Sequence, residues 1–268
     1  MEIHSVRILY ESRQDIFTIH PLGDIHAGSI FCVEENIKRQ VNIIKGDPFA
    51  LWWGMGDYCE AITPTDKRWD IKAVAPWVEQ QNIAESQRQW VRSLFEPIKD
   101  KCLGLLIGNH EETIRLRNYQ DIQLDLCRDL GVKNLSYSCF LRIYFERESS
   151  NSVFTVTCHL EHGSGAAQTE GGKMMRLVKG MAAFDADIYA MAHLHDIKTN
   201  TIPYLYLSQK EPLKIKQRVK VGAITGSWFK AYMESPYPSY AERHGYTPTV
   251  IGCPTFTIIP DKEIIKVS

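Results

Sequence analysis

Four short polar strings, each placed directly after an apolar run, constrain the fold of this chain more than any other feature. In chain order, the strings are Gly23-Asp24-Ile25-His26, Gly56-Asp57, Gly108-Asn109-His110-Glu111 and His193-Leu194-His195. The apolar runs before them are short and bounded by Gly, Pro or Asp, as buried β-strands are. The sequence therefore predicts carboxylate, amide and imidazole side chains just beyond buried strands.

The apolar pattern also predicts the order of the secondary structure. Apolar runs predict strands at Val6–Tyr10, Ile16–Pro21, Phe49–Gly54, Cys102–Ile107, Leu141–Phe145, Val153–His159 and Ile188–Ala192. Helical spacing predicts helices at Glu34–Lys45, Ile83–Phe95, Ile122–Leu130 and Gly172–Phe184. A strand-rich region follows Ile197, and no linker or repeat interrupts the chain. This order predicts two packed sheets with helices outside, in one domain over residues 1–268.

Composition narrows the class of protein. Of the 268 residues, 44% are hydrophobic, which is enough for a normal core, and the formal net charge of -1 gives no overall basic surplus for nucleic acid. The seven cysteines are scattered without a Cys-x-x-Cys pair, which argues against disulfides and against a thiolate zinc site. No apolar run is long enough to span a bilayer, and the N-terminus lacks a signal-peptide pattern. We therefore expect a cytoplasmic protein without a membrane partner.

The first two strings carry carboxylates suited to metal ions. Asp24 and His26 stand at i and i+2, so in an extended segment their side chains share a face and can bind one ion. The alternative is a turn with a surface Asp and His. Asp57 follows two glycines, and its two carboxylate oxygens can bridge two cations. An ordinary Gly-Asp turn is the alternative for this string.

The third string offers a neutral ligand and a proton donor. The amide oxygen of Asn109 is a hard ligand, and His110 can donate a proton to a leaving oxygen or stabilise charge on phosphorus. Alternatively, Asn109 is the N-cap of a helix. Both interpretations are compatible, because a helix that begins here would direct free amides at an anion.

Histidines complete the set. His162 precedes the flexible segment Gly163-Ser164-Gly165, while His159 is expected to pack at a strand end and is the reserve choice as a ligand. His193 and His195 share a side of their segment at i and i+2. Taken together, the ordered strings outline a site for two metal ions with nitrogen and oxygen ligands, and such sites usually cleave phosphate esters.

The ordered motifs Asp-x-His, Gly-Asp, Gly-Asn-His-Glu, a later His and His-x-His resemble the calcineurin-like metallophosphoesterase superfamily. The stretch from His162 to Lys173 resembles a subgroup of phage and bacterial sequences that are often labelled repair-exonuclease-like. Two positions depart from the family pattern. Ala192 replaces a glycine before His-x-His, and Glu60 occupies the position of the tyrosine in purple acid phosphatases, which argues against that branch.

The resemblance implies a four-layer α/β sandwich, with two mixed β-sheets flanked by helices and all ligands on loops at one edge. It assigns one ion to Asp24, His26, Asp57 and His195. It assigns the other ion to Asp57, Asn109, His162 and His193, with Asp57 as the bridge. Without a thiolate, these ligands suit two divalent ions, manganese first, with iron, zinc, cobalt or nickel as alternatives.

The expected activity is that of a dinuclear phosphodiesterase. A hydroxide that bridges the two ions would attack phosphorus in line, with Asp57 holding both ions and His110 as acid or transition-state stabiliser. A metal-dependent DNA nuclease is the near alternative. A phosphomonoesterase and a non-catalytic metal-binding scaffold are the remaining ones. The expected partner is a phosphate ester, either a small diester or nucleic acid, and the sequence leaves the oligomeric state open.

Three sequence features bear on the substrate. Four cations alternate in one predicted strand and either guide a nucleic-acid backbone or form a solvent face that blocks edge-to-edge aggregation; they are Lys214, Lys216, Arg218 and Lys220. Three more cations on a predicted helix either contact a phosphate or face solvent; they are Lys173, Arg176 and Lys179. Aromatic residues after Gly226 either stack on bases or form core; they are Trp228, Phe229, Tyr232, Tyr237 and Tyr240. The segment Thr63–Trp77 is expected to overhang the site.

Overall fold

The computed structural model describes residues 1–208, 211–234, 237–248 and 250–268. In chain order, the strands are β1 (Glu2–Tyr10), β2 (Phe17–Leu22), β3 (Ala50–Gly54), β4 (Cys102–Leu105), β5 (Ser138–Arg147), β6 (Val153–Glu161), β7 (Ile188–Met191), β8 (Ile197–Leu207), β9 (Ile215–Thr225), β10 (Phe256–Ile259) and β11 (Ile264–Val267). The α-helices are α1 (Glu34–Gly46), α2 (Ile83–Phe95), α3 (Asn109–Asn118), α4 (Ile122–Leu130), α5 (Glu170–Ala183) and α6 (Tyr240–Arg243). Short 3₁₀ helices cover Ile71–Ala73, Glu96–Lys101 and Pro260–Lys262.

The strands form two mixed sheets. The six-stranded sheet has the order β1-β5-β6-β7-β9-β8, and the five-stranded sheet has the order β11-β10-β2-β3-β4. Strands β2, β3 and β4 are mutually parallel, as are β6, β7 and β9. Parallel strands end at the same edge of their sheet, so the loops that follow them lie side by side.

The two sheets pack face to face over the main hydrophobic core. Ile19 and Trp53 of the five-stranded sheet belong to the same buried cluster as Ile143 and Leu160 of the six-stranded sheet. Because successive side chains of a strand point to opposite faces, every second residue reaches this core.

Helices cover the outer faces of both sheets. Helices α1, α2 and α4 pack against the five-stranded sheet, where Ile37 and Val91 share a buried cluster with Trp52. Helix α5 covers part of the six-stranded sheet, where Leu177 contacts the cluster around Tyr189. The layers therefore follow the order helix, sheet, sheet, helix, and the predicted α/β fold class is confirmed.

All predicted strands and helices are present, and α2 and α4 have the predicted ends. Strand β1 begins earlier than predicted, because it pairs with β5 from Glu2 onward. A helix does begin at Asn109, but the N-cap is Gly108, so the interpretation of Asn109 as the cap is wrong. The side chain of Glu111 accepts a hydrogen bond from the Gly108 N–H, which leaves the Asn109 amide available for other contacts.

The alternating cations lie far from the edge that carries the polar strings. Strand β9 pairs with β7 only from Val221 to Ile224, so the residues before Val221 extend past the opposite edge of the sheet. Lys216 and Arg218 are exposed there, whereas Lys220 is only partly exposed and its Nζ lies 3.3 Å from Tyr189 Oη. Strand β8, rather than β9, is the sheet edge, so these cations do not block an edge as the sequence suggested.

Within the described residues, no helix combines the length and the apolar character needed to cross a membrane.

His159 packs in the outer layer as the sequence predicted. Its ring stacks on Phe184 at 3.8 Å between centroids, and the residue is 2% exposed. Burial lowers the pKa of His159 to about 4, whereas an unfolded histidine has a pKa of about 6.5. At pH values between these two pKa values, the unfolded chain therefore binds a proton at this histidine that the folded chain does not bind.

We predict that His159→Phe makes the protein less sensitive to acid. The wild-type free energy of unfolding contains a contribution that is complete above pH 6.5 and is lost as pH falls toward 4. Between pH 7.5 and pH 5, the variant should lose about 2 kcal/mol less than the wild type. Urea denaturation in excess chelator at both pH values measures this, with the exposed His244→Phe as control. Equal losses in all three proteins would contradict the prediction.

Candidate metal centre

The predicted ligands meet at one edge of the sandwich. Each follows a strand end: Asp24 and His26 follow β2, Asp57 follows β3, Asn109 follows β4, His162 follows β6, and His193 and His195 follow β7. The donor atoms of the predicted ligands fall into two groups. A third group, of His26, Glu60 and His110, shares His26 with the first, and no sulfur donor belongs to any of the three. A site composed only of nitrogen and oxygen donors suits borderline and hard divalent cations.

The first group contains Asp24, His26 and His195, whose donor atoms all lie within 4.8 Å of one another. The Nε2 atoms of His26 and His195 are 3.0 Å apart. His195 Nε2 is 3.5 Å from Asp24 Oδ1, and that oxygen is buried without a hydrogen bond. An unsatisfied buried carboxylate oxygen beside two converging imidazole nitrogens fits a cation.

The second group contains Asp57, His162 and His193, also within 4.8 Å. Asp57 Oδ2 is 3.3 Å from His162 Nε2. Asn109 joins this group, because its Oδ1 is 3.1 Å from the same nitrogen. The residues that the resemblance assigns to the second ion therefore lie together.

Hydrogen bonds fix which nitrogen of His26 and His162 faces its group. His26 Nδ1 is 2.8 Å from Glu60 Oε2, and His162 Nδ1 is 2.7 Å from the carbonyl oxygen of Met55. Because these oxygens engage Nδ1, Nε2 is the nitrogen that faces the group. His193 differs, since its Nε2 is 3.1 Å from the carbonyl oxygen of Gly165. Such outer partners orient metal-binding histidines in proteins.

The buried charges of the site depend on one another. Burial tends to raise the pKa of the Asp57 carboxyl, but His162 and His110 hold that pKa well below its ordinary value. Burial likewise opposes charge on His162, yet Asp57 and Asp24 raise the pKa of His162 to about 10. The carboxylates thus create a strongly negative potential, which stabilises positive charge between the donors.

The backbone of the site is strained. Five of the predicted ligands have positive φ angles in the left-handed region, which non-glycine residues rarely adopt; they are Asp24, His26, Asp57, His193 and His195. Conformations of this kind persist only where the surrounding structure enforces them, and they concentrate at functional sites.

Glycine is required where the loops approach most closely. A Cβ atom at Gly108 would lie 2.1 Å from the backbone nitrogen and from Oδ1 of Asp57. Gly56 has a φ of +87°, and a Cβ there would lie 2.5 Å from the nitrogen of Gly108. Ala192, which replaces the glycine of the family pattern, places its side chain in the central core.

Glu111 connects the loops after β3 and β4. Its buried carboxylate accepts hydrogen bonds from the N–H groups of Asp57 at 3.0 Å, Cys59 at 2.9 Å and Gly108 at 3.1 Å. Burial and the nearby Asp57 raise the pKa of Glu111 to about 7. The sequence indicated only that Glu111 stands near a helix N-terminus; its bonds to Asp57 and Cys59 depend on tertiary structure.

His110 is not part of the two groups of predicted ligands, but it forms the third group with His26 and Glu60. Its backbone N–H donates to Asp57 Oδ1 at 2.9 Å, and its Nδ1 contacts the carbonyl oxygen of Glu60. Its Nε2 is 3.3 Å from Nη1 of Arg68. The Glu60 carbonyl therefore engages Nδ1 of His110, and Nε2 lies toward Arg68.

A cleft of about 330 Å³ opens over the two groups. One wall includes Ile62 and Arg68, and Arg68 is the residue of the predicted segment Thr63–Trp77 that lines the cleft. Phe229 and Tyr240 line another wall, while Trp228 is buried in the core beneath the helices. The remaining two predicted aromatics do not line the cleft in the described structure; they are Tyr232 and Tyr237.

The three cations of helix α5 do not all face solvent. Lys173 is 4% exposed, lines the cleft and forms an ion pair with Asp196 at 2.9 Å. Arg176 donates to the carbonyl oxygen of Ser164, and Lys179 is exposed. The solvent-face interpretation is therefore wrong for Lys173. The sequence pattern did not reveal the ion pair, because Asp196 lies more than twenty residues later in the chain.

Four site residues have no role in the sequence prediction; they are Glu60, Arg68, Glu111 and Tyr246. Glu60 stood out only as a departure from one branch of the family, and nothing local distinguishes Arg68 from other surface arginines. Tyr246 reaches the cleft through the fold of the segment after α6. Contacts of this kind depend on tertiary structure and leave no signal in spacing.

No protein-family model matches this chain, and no curated protein sequence matches it. Among solved structures, the chain is similar to a conserved uncharacterized protein, a predicted phosphoesterase, from Streptococcus pneumoniae TIGR4. The two share 13% sequence identity, over 91% of this chain and 83% of that chain, with a TM-score of 0.34. A similarity this low says nothing about activity, so the function must be inferred from the residues of the site.

We predict that Glu111→Ala strongly destabilises the protein. Three buried N–H groups lose their acceptor, and each unsatisfied group costs about 1–3 kcal/mol. The free energy of unfolding should fall by about 3 kcal/mol or more, measured by urea denaturation. Glu112→Ala, one position later on the same helix turn, is the matched control and should change stability by less than about 1 kcal/mol. Similar losses in the two variants would rule out the connecting role of Glu111.

Proposed function

We propose that this chain is a metal-dependent phosphodiesterase that uses two divalent cations. The observation that carries the proposal is the pair of adjacent nitrogen and oxygen donor groups at the floor of one cleft. The loops of the two groups are joined directly, because the carbonyl oxygen of Asp57 accepts hydrogen bonds from the N–H groups of Ile25 and His26.

Asp24, His26 and His195 would hold one cation, and Asn109, His162 and His193 the other, with Asp57 shared between them. Bound divalent cations would supply Lewis-acid polarisation of the phosphate and activation of a water. The donor set fits manganese, which we favour, and also iron, zinc, cobalt or nickel.

His110 would serve the leaving group. Its Nδ1–H donates to the carbonyl oxygen of Glu60, which fixes the ring and directs Nε2 at the cleft. From there Nε2 can hold a proton and transfer it to the departing oxygen, or donate a hydrogen bond to charge that develops on the phosphate. Asp57 supports this geometry through the bond from the His110 N–H.

The walls of the cleft favour a diester over a monoester. A diester carries a second organic group, which needs a surface to contact. Apolar and aromatic side chains provide that surface around the polar floor, among them Ile62, Leu194, Phe229 and Tyr246. We favour a small diester over nucleic acid, because the exposed Lys216 lies past the opposite edge of the sheet.

We predict that Asp57→Asn abolishes metal-dependent diester hydrolysis. In this proposal the carboxylate would be shared by both cations, so its loss should weaken both cation sites and lower kcat/KM more than roughly 100-fold. The measurement is manganese-dependent hydrolysis of bis(p-nitrophenyl) phosphate, with p-nitrophenyl phosphate in parallel and bound manganese determined by mass spectrometry.

Asp185→Asn is the matched control, because that side chain is fully exposed on the outer layer. It should retain wild-type activity and metal content. Full diester turnover by Asp57→Asn would exclude the proposed centre. Faster turnover of the monoester than of the diester by the wild type would exclude the diester preference.

We predict a different result for His110→Ala. Because His110 is not among the ligands proposed for the two cations, the variant should keep the wild-type manganese content while kcat falls by about 10²–10⁴-fold. His244→Ala, an exposed histidine, is the control for the substitution itself. Loss of manganese together with activity in His110→Ala would indicate a structural or ligand role instead.

A further inference from the structure

Arg68 is held in the wall of the cleft by a two-pronged ion pair. Its Nε is 3.1 Å from Asp66 Oδ1, and its Nη2 is 2.9 Å from Asp66 Oδ2. The backbone N–H of Arg68 also donates to Asp66 Oδ1 at 2.9 Å. This geometry fixes the plane of the guanidinium and removes most of the freedom of a surface arginine.

The ion pair leaves one edge of the guanidinium available. An arginine has five N–H bonds, and Asp66 accepts two of them. Nη1 approaches His110 Nε2 at 3.3 Å. The two N–H bonds at the end of the guanidinium, one on Nη1 and one on Nη2, remain beside the reactive nitrogen of His110.

The carboxylate of Asp66 serves a second cation as well. Asp66 Oδ2 also lies 3.5 Å from Nη1 of Arg117, so two guanidinium groups share one carboxylate. The Glu60 carboxylate of the same wall is engaged by His26 at 2.8 Å. Arg68 therefore shares its carboxylate partner with a second arginine, and only 23% of its side chain is exposed to screening solvent.

We infer that Arg68 is a substrate-binding residue that holds two non-bridging oxygens of the phosphate through this free edge. A planar, fixed pair of N–H donors matches two oxygens of one phosphate, which a lysine cannot do. The inference deepens the proposed function and rests on it, because the phosphate is that of the proposed diester. Asp66 is the positioning residue, and Arg117 contacts Asp66 without lining the cleft.

Inorganic phosphate provides the test, since it carries the recognised group without the organic substituents. Calorimetric titration of phosphate into manganese-loaded protein should show about 10- to 100-fold weaker binding for Arg68→Gln than for the wild type. Arg68→Lys should recover only part of this loss. Both variants should keep the wild-type manganese content, because Arg68 contacts neither group of predicted ligands.

Arg117→Gln is the matched control, because it removes a guanidinium from the same carboxylate outside the cleft; phosphate binding should change less than about threefold. Phosphate binding by Arg68→Gln as tight as by Arg117→Gln would overturn the inference, and so would full recovery in Arg68→Lys. The proposed function has a separate readout. If the wild type binds manganese and phosphate but hydrolyses no diester, the phosphodiesterase proposal fails while the role of Arg68 in phosphate binding stands.

Discussion

The burial of one carboxylate, that of Asp57, governs the arrangement of the whole site. The residue is 1% exposed, and a charge in that position costs several kcal/mol unless it is paired and hydrogen-bonded. The backbone N–H of His110 and the ring of His162 contact its two oxygens, and Glu111 accepts from its own N–H. Three strand ends must therefore converge on Asp57, and positive charge must lie beside it.

This convergence explains the strained backbone. Loops after neighbouring strands approach so closely that Gly108 has no room for a Cβ atom against Asp57. Direct hydrogen bonds between loops, such as that from the Asp24 N–H to the carbonyl oxygen of Gly56 at 2.9 Å, hold residues in the left-handed region. The parallel strands beneath are buried on both faces and supply the rigidity that this strain requires.

Sequence patterns predicted the layers, because buried residues recur at regular spacing along helices and strands. The ends of α2 and α4 followed directly from this spacing. They also predicted that polar strings would follow strands, since a buried strand must end before a charge can appear. They could not predict contacts fixed by tertiary structure. Lys173 was expected in solvent, yet it is buried against Asp196. The pairing of β9 with β7 decides at which edge of the sheet the cations of β9 lie, and the alternation of charged residues along the sequence does not encode this pairing.

The site thus has two parts with different physical requirements. The donor groups stand on loops directly after strands of two packed sheets, where small displacements would separate donor atoms that must lie within a few ångströms of one another. The walls come from longer segments, such as the one that carries Asp66 and Arg68, whose side chains are fixed by local ion pairs instead of by the sheets. In the proposed function, these walls would contact the organic part and the charge of a ligand, and they could change with little effect on the donor groups. The proposed chemistry would then depend on the strand ends, and the choice of ester on the walls.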